Sequence, residues 1–198
     1  MRKTRKESQQ ETRQRLIAAA HAAIVRDGVG TLSLRRLCED AGYSQGAFYS
    51  NFASRDELLL AVMEAHVHEE AQFLQHLLAL GQDDPLEQVL GTLARRLADL
   101  ARESQWSLLS IELQLHAQRD ATFALAYHAA RAGYHAAFAG LVQTICRHHG
   151  LEPALPPLQI AIGLYALWCG LAAQGTVPGT QPRDEIFLAF LKGVIGAP

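Results

Sequence analysis

Residues 33–58, SLRRLCEDAGYSQGAFYSNFASRDEL, constrain the fold more than any other part of this sequence. Ser33 is suited to cap a short helix with an apolar stripe at helical spacing, and Gly42 is suited to end it. Ser44 can cap a second short helix, whose apolar side includes Phe48. Two short helices joined by a tight turn predict a helix-turn-helix.

The remaining chain also shows helical periodicity and turn signals, which predict an all-α fold of about nine helices. The first ten residues are polar and basic without an apolar period, so we expect them to be disordered. The predicted helices cover residues 11–27, 34–41, 45–51, 55–80, 85–103, 105–118, 121–148, 158–173 and 184–195. We expect an N-terminal helix-turn-helix domain over residues 1–54 and a larger helical domain over residues 55–198.

Charge is distributed unevenly between the two ends of the chain. Residues 1–55 hold ten Lys or Arg and five Asp or Glu, a balance of +5, whereas residues 56–198 hold eight and fifteen, a balance of -7. A basic helical segment attached to an acidic remainder is the electrostatic pattern of a nucleic-acid-binding domain on a body that stays off the polymer. A solvated basic face is the alternative.

Other features of the sequence argue against a disulfide-bonded, membrane-spanning, secreted or metal-binding protein. Cys38, Cys146 and Cys169 are widely spaced and odd in number, so we expect free thiols. We find no apolar run of the roughly 18 residues that a membrane span needs and no secretory signal, so we expect a soluble cytoplasmic protein that contacts no membrane. His66 with Glu69 or Glu70 has a spacing that suits a metal, but no partner residue converges on it. We therefore predict neither a metal nor another cofactor.

The region from about Leu16 to Leu60 resembles the TetR family of transcriptional regulators. Its matching segments are LIAAAHAAIVRDG, TLSLRRLCEDAGYS and QGAFYSNFASRDELL. Cys38, Tyr43, Asn51 and Arg55 depart mildly from the residues usual in the family, and Asn51 and Arg55 keep a polar or basic character. The resemblance covers the first third of the chain.

At matching positions, the resemblance implies that the second helix of the motif reads double-stranded operator DNA. Gln45 is placed to form two hydrogen bonds with an adenine, Ala47 to contact a thymine methyl, and Gly46 to let the backbone approach. Five further predicted DNA-binding residues are suited to contact phosphate oxygens, and Ser50 lies next to two of them. The full set is Ser33, Ser44, Tyr49, Ser50, Asn51 and Arg55. From the sequence alone, Arg35 and Arg36 are further candidates for phosphate contact, and the alternative is that one of them is simply solvated.

The resemblance also implies a small-molecule effector, for which the middle helices offer an apolar wall. The predicted apolar and aromatic lining consists of Phe73, Leu77, Trp106, Leu109, Leu113, Phe123, Tyr127 and Tyr134. Glu112 and His116 would orient the effector, which we expect to be aromatic or largely apolar. The alternative is that these aromatic residues only fill the core.

The last two helices are apolar on more sides than one protomer can bury, which favours a homodimer across a two-fold axis. The predicted interface residues are Leu164, Trp168, Leu171, Phe187, Phe190, Leu191 and Val194. Burial within the monomer is the alternative, and the resemblance favours the dimer. We therefore expect a ligand-responsive, sequence-specific DNA-binding regulator that acts as a repressor and is released from a pseudo-palindromic operator by its small-molecule effector.

An enzyme is the second functional class that the sequence allows. Glu112 and His116 form an i, i+4 pair that resembles a general acid and base. No nucleophile, phosphate loop or metal cluster accompanies the pair, so we expect no catalysis.

Overall fold

The computed structural model describes residues 4–81, 83–175 and 181–196. These residues contain nine α-helices, one short 3₁₀ helix and no strand, which confirms the predicted all-α fold. In chain order the elements are α1 Arg5–Asp27, the 3₁₀ helix Val29–Thr31, α2 Leu34–Ala41, α3 Gln45–Tyr49, α4 Arg55–Leu80, α5 Leu86–Arg102, α6 Ser104–Arg119, α7 Ala121–His149, α8 Pro157–Gln174 and α9 Arg183–Ile195. Most of the turn predicted between α8 and α9 lies outside the described residues.

Helix α1 begins earlier than the sequence prediction placed it. The Thr4 hydroxyl accepts from the Glu7 amide at 3.2 Å, and the Glu7 carboxylate accepts from the Thr4 amide at 2.7 Å. This reciprocal capping box satisfies two amides that a helix N-terminus leaves open, so the helix starts at Arg5. The expectation that residues 4–10 are disordered was therefore wrong, whereas residues 1–3 lie outside the described residues.

The chain forms two compact units, and neither is continuous in sequence. The head unit comprises Met1–His66 with Leu108–Tyr127, and the body unit comprises Val67–Ser107 with His128–Pro198. Helices α4, α6 and α7 each contribute residues to both units. The functional boundary proposed between residues 54 and 55 stays a prediction.

The core of the head unit lies where α1, α2 and α3 meet. Ile24, Leu37 and Phe48, which the sequence predicts as central core residues, are 0%, 2% and 0% exposed. Phe52 is equally buried and its ring lies 5.5 Å from that of Phe48, measured between centroids. This small core fixes α3 against α1, so the exposed side of α3 has a defined orientation.

The core of the body unit forms mainly between α5 and α9, joined by buried residues of α4, α7 and α8. The Arg183 guanidinium donates to the Ala101 carbonyl at 2.6 Å, and the Lys192 ammonium lies 2.6 Å from the Glu87 carboxylate. These two polar contacts lie at opposite ends of the α5–α9 pair. They fix the face that α9 turns toward the core.

Helix α8 is unusually apolar for a helix with so little burial. Its 18 residues have a mean hydropathy of 1.2, and 11% of them are buried within the protomer. By length and composition alone, α8 could cross a membrane, so the expectation that no segment reaches this size was wrong. An apolar surface of this kind is typical of an interaction site.

Candidate nucleic-acid interface and ligand site

Helix α3, Gln45–Tyr49, is only about one and a half turns long, and its N-terminus is capped. The Ser44 hydroxyl caps it by accepting from the Ala47 amide at 3.1 Å. Gly42 ends α2 in the left-handed conformation, with φ of 73°, which a side chain at this position would disfavour. The sequence thus produces the predicted helix-turn-helix, although α3 ends at Tyr49 and not at residue 51.

The outer face of α3 carries the residues predicted to read bases. Gln45 and Gly46 are exposed, and Tyr49 is 59% exposed, whereas Ala47 is half-buried beside the core residue Phe48. A β-carbon added at Gly46 would have only the Ser44 hydroxyl within 4 Å, at 3.6 Å. The face is therefore open to a large ligand, and Gln45 lies exposed on it.

The other predicted DNA contacts are engaged in the protein to different degrees. Ser33 is exposed at the N-cap of α2 and makes no capping bond with its side chain, whereas Arg35 pairs with Glu39 at 3.0 Å. The Ser50 hydroxyl donates to the Gly46 carbonyl at 2.9 Å, and the Asn51 amide donates to the Ala47 carbonyl at 2.8 Å. Both bonds terminate α3. Their predicted contacts with phosphate stay predictions.

Arg55 has a structural bond that the sequence did not indicate. Its guanidinium donates to the Val29 carbonyl at 2.9 Å and is partly buried. The bond joins the first residue of α4 to the 3₁₀ helix after α1. A phosphate could therefore share Arg55 with this carbonyl, because the guanidinium has several donors.

Two residues of α1 that the sequence analysis did not single out hold the end of α3. The Arg13 guanidinium donates to the Asn51 carbonyl at 2.7 Å, lies 4.1 Å from the centroid of Phe52, and is 3.6 Å from the Glu57 carboxylate. The Gln9 amide donates to the Ser50 carbonyl at 3.0 Å. Both residues lie in the basic run of α1, which predicts a charged face but not specific bonds. Arg13 and Gln9 therefore position α3.

The predicted effector residues fall in both units, and those in the head unit lie on α6 and the start of α7. Leu109, Leu113 and Tyr127 are buried, whereas Glu112 is exposed. The His116 ring packs edge-on against Phe123, with 4.5 Å between centroids. Phe123 in turn stacks on Tyr127 at 6.3 Å. The structure therefore brings His116, Phe123 and Tyr127 together as predicted neighbours.

His116 has a different carboxylate neighbour from the one proposed for catalysis. Its Nε2 lies 3.6 Å from the Asp56 carboxylate in the first turn of α4. At the adjoining start of α7, the Phe123 and Thr122 amides donate to the Asp120 carboxylate. These bonds, that of Phe123 first, hold the pKa of Asp120 below its ordinary value. The geometry gives His116 a contact between helices rather than an acid–base role with Glu112.

The predicted effector residues of the body unit have mixed environments. Trp106 and Tyr134 are buried, and Leu77 packs at the edge of the core. Phe73 is 46% exposed, and the Arg96 guanidinium lies 5.3 Å from its ring centroid. Arg96 is itself held by an ion pair with Glu70. Phe73 is thus half-exposed beside a cation, and its place in an apolar cavity wall stays a prediction.

A separate cavity of about 210 Å³ lies in the body unit, between the C-terminal ends of α4 and α7. It is partly open to solvent, and its lining includes no residue of the predicted effector set. The lining residues are Gln75, Leu78, Ala79, Gly81, Val89, Gly140, Leu141, Thr144, Ile145, His148 and His149. In the part of the chain that the structure describes, no group of three or more His, Cys, Asp or Glu could hold a metal ion.

The predicted dimer residues divide into buried and accessible ones. Phe187 and Leu191 are 0% and 4% exposed because they face α5 in the core of the body unit, so their assignment to an interface was wrong. Phe190 is 53% exposed. Leu164, Trp168, Leu171 and Val194 are half-buried at the edge of that core. The accessible residues leave an apolar surface on α8 and α9.

The sequence also matches a known family and individual regulatory proteins. Residues 16–62 match the family described as bacterial regulatory proteins, tetR family. The chain is 25% identical over 195 residues to the HTH-type transcriptional repressor NemR of Escherichia coli K12, which covers 98% of both chains. It is also 39% identical over 64 residues to the HTH-type transcriptional regulator TtgR of Pseudomonas putida, or 32% of this chain and 30% of that protein.

Solved structures share the fold over nearly the whole chain. The reduced form of E. coli NemR has a TM-score of 0.68 at 24% identity and covers 94% of this chain and 99% of its own. RolR in complex with resorcinol has a TM-score of 0.73 at 20% identity and covers 98% of this chain and 92% of its own. With the exposed α3 and its capped turn, these likenesses support one conclusion: residues 16–62 form the helix-turn-helix of the tetR family of bacterial regulatory proteins, and the described residues share the fold of these solved structures.

Proposed function

We propose that the protein is a repressor that binds a pseudo-palindromic operator as a homodimer and leaves it when a small molecule binds. The exposed face of α3, with Gln45 and Tyr49 on a rigid three-helix core, carries this proposal. A helix this short reads few base pairs, so two copies are needed for specific binding. Relatives named as transcriptional repressors support the direction of control.

The homodimer would use the apolar surface of α8 and α9. Helix α8 has no charged residue, and Phe190 on α9 exposes about half of its surface. A second copy of the same surface would bury both by two-fold symmetry. We assign the apolar character of α8 to this contact and not to a lipid bilayer, and we place the protein in the cytoplasm with its DNA target.

The effector would act through the helices that meet the first turn of α4. His116 on α6 lies beside Asp56, which is the neighbour of Arg55 in that turn. A ligand that shifts α6 would therefore move residues adjoining the DNA-binding domain. Such coupling requires that the ligand bind the two arrangements with unequal affinity.

Operator binding is the first test of this proposal. Purified protein is incubated with duplex DNA from the promoter region upstream of its own coding sequence, and the complex is followed by fluorescence anisotropy at several salt concentrations. We expect sequence-specific binding whose logarithmic affinity falls linearly with the logarithm of salt concentration. A second set of duplexes is taken from genomic fragments that the protein itself selects. If scrambled DNA binds as tightly as the promoter fragment and the selected genomic fragments, the proposal is contradicted.

A further inference from the structure

The peptide group that joins Ser50 to Asn51, just after α3, is held from both sides. Its carbonyl, that of Ser50, accepts from the Gln9 side chain of α1 at 3.0 Å. Its amide, that of Asn51, donates to the carbonyl of the buried residue Phe48 at 2.8 Å. This peptide group therefore bridges α1 and the residue that anchors α3 in the core.

The next peptide group, which joins Asn51 to Phe52, repeats this arrangement. Its carbonyl accepts from the Arg13 guanidinium at 2.7 Å, and its amide donates to the same Phe48 carbonyl at 2.9 Å. Gln9 and Arg13 lie four residues apart, on one face of α1. We call these two side chains, with the two peptide groups that they hold, the α1–α3 tether.

The first turns of α1 have no apolar core of their own. Residues 4–10 are all exposed, so burial does not keep them helical. The reciprocal bonds between Thr4 and Glu7 stabilise the first turn, which keeps Gln9 within reach of the end of α3. The exposed start of α1 thus supplies one of the two side chains of the tether.

Helix α3 is too short to fix its own direction. Its five residues span about 7.5 Å, so a displacement of about 1 Å at one end tilts the helix by about 8°. Hydrogen bonds to base edges weaken steeply when donor and acceptor are misaligned. Contacts with phosphate depend mainly on charge and tolerate a small tilt better. A loosened tether would therefore weaken specific binding more than non-specific binding.

The surroundings of Arg13 favour a positioning role over a direct contact with phosphate. Its guanidinium lies 4.1 Å from the Phe52 ring centroid and 3.6 Å from the Glu57 carboxylate, and its side chain is 36% exposed. The Glu57 carboxylate also accepts from the Ala53 amide at 2.6 Å, just before α4. Arg13 is thus held among α1, α3 and α4 by contacts that a phosphate would have to share.

We propose that Gln9 and Arg13 are positioning residues for base reading, which determine operator specificity through the angle of α3 and do not contact DNA themselves. This inference rests on the proposed function, because it requires that α3 read base edges. The α1–α3 tether itself does not depend on DNA. Its test therefore combines a measurement without DNA and a measurement with DNA.

Amide hydrogen exchange measures the tether in the free protein. Gln9→Met and Arg13→Met keep an apolar stem and remove the donor. We expect exchange at the Asn51 and Phe52 amides to become faster by about fivefold or more, relative to amides in the middle of α1, which report general loss of stability. Gln14→Met is the matched control, because Gln14 is an exposed glutamine of the same helix. Unchanged exchange in both variants of the tether would overturn it.

Anisotropy with operator and scrambled DNA separates positioning from phosphate contact. We expect Gln9→Met to weaken operator binding about fivefold and Arg13→Met about tenfold or more, while affinity for scrambled DNA changes by less than about twofold. The salt slope should stay within about half a unit of its unaltered value, because no phosphate contact is lost. Equal losses on both DNAs, or a slope shallower by about one unit in Arg13→Met, would overturn the positioning role.

Operator libraries show which base pairs lose their preference. Both variants of the tether should flatten the preference at several adjacent base pairs of the half-site, because a tilt displaces the whole of α3, whereas Gln45→Ala should affect one. A loss confined to one base pair, or no loss, would overturn the inference. If Arg13→Met does not fold, Gln9→Met decides the case, because Gln9 is exposed and lies outside the core.

The two kinds of measurement separate this inference from the proposed function. If the unaltered protein binds its operator and both methionine variants bind it equally well, the inference alone fails. If the unaltered protein shows no sequence-specific binding, the proposed function fails and the base-reading role of the tether fails with it. Hydrogen exchange then still decides whether Gln9 and Arg13 hold the end of α3.

Discussion

Gln45 is the side chain on which base reading depends most in our proposal. It is exposed at the start of α3, and its amide can form two hydrogen bonds with an adenine. We expect Gln45→Ala to cost about 1 to 3 kcal/mol at one base pair and to relax the preference there. Operator libraries randomised at each position would measure this loss. Gln72→Ala, an exposed glutamine on α4, should leave every preference intact, and an unaltered profile for Gln45→Ala would refute the placement of α3.

Arg13 contributes both to stability and to the position of α3. Its bond to the Asn51 carbonyl and its contact with Phe52 predict that Arg13→Ala lowers the free energy of unfolding by about 2 kcal/mol. Denaturant titration measures this value. Arg15→Ala is the control, because Arg15 is mostly exposed and pairs with Glu11 along the helix surface, so it should change stability by less than about 0.5 kcal/mol. Equal effects of the two substitutions would show that Arg13 is only a surface charge.

Arg55 combines a structural bond with a predicted phosphate contact, and one substitution reports on both. Loss of its bond to Val29 should lower the free energy of unfolding by about 1 to 2 kcal/mol. Loss of the phosphate contact should weaken all DNA sequences alike and make the salt dependence shallower by about one unit. Arg55→Ala is therefore measured by denaturant titration and by anisotropy, beside Arg147→Ala as a control, because Arg147 is an exposed basic residue on α7 outside the predicted DNA-binding set. A stability loss with an unchanged salt slope would leave Arg55 a structural residue.

His135 predicts a dependence of stability on pH. Because its pKa is lowered in the folded protein, the unfolded chain binds a proton more readily as pH falls below about 6.5. The folded state is therefore favoured above this pH, and stability falls as pH decreases toward the lowered pKa. The difference in unfolding free energy between pH 7.5 and pH 5.5 should be smaller in His135→Phe than in the unaltered protein. The control His148→Gln, which alters an exposed histidine on the same helix, should show the same difference in unfolding free energy between the two pH values as the unaltered protein. If His135→Phe also shows this same difference, His135 is not the source of the pH dependence.

At the scale of helices, most of the architecture follows from local sequence signals. The bounds predicted for α4, Arg55 to Leu80, agree with the structure, because Ser54 and the turn at Gly81 give clear start and stop signals. The early start of α1 was also readable, since Thr4 and Glu7 have capping-box spacing; the polar composition of these residues obscured it. Local signals therefore locate helix ends well when both capping residues are considered.

Tertiary contacts were less predictable than the helices themselves. Helix α9 is apolar on several sides. Its sequence therefore does not show which side faces the core and which side would face a second copy of the chain. Phe187 and Leu191 face α5, whereas Phe190 between them is exposed. The bonds from Gln9 and Arg13 to the end of α3 were equally hidden, because they join residues about 40 positions apart. The predicted base-reading residues of α3 could be proposed because the resemblance to the TetR family carries them over at matching positions of a local motif.

For the whole molecule, the apolar surface of α8 and α9 predicts an obligate association. Phe190→Asp places a charge where a second copy would bury an aromatic ring, so we expect it to yield monomers that bind operator DNA far more weakly. Sedimentation velocity at micromolar concentration measures the change. Leu125→Asp is the control, because Leu125 is 75% exposed on α7, outside the proposed interface. Dimers that persist in Phe190→Asp, or an unaltered protein that sediments as a monomer, would contradict the interface.

The pairing of α5 with α9 has a consequence for the order in which the chain acquires structure during synthesis. Arg183 and its acceptor at Ala101 are 82 positions apart, so Val89, Leu90 and Leu93 of α5 emerge from the ribosome long before Phe187 and Leu191 can cover them. Contacts among α1, α2 and α3 are local by comparison and can form early. A nascent chain therefore passes through a stage in which the DNA-reading helix is shaped while the body still exposes apolar surface. Chaperone binding at that stage would protect against aggregation, and premature termination before α9 would produce a chain with a folded head that lacks half of the proposed dimer interface.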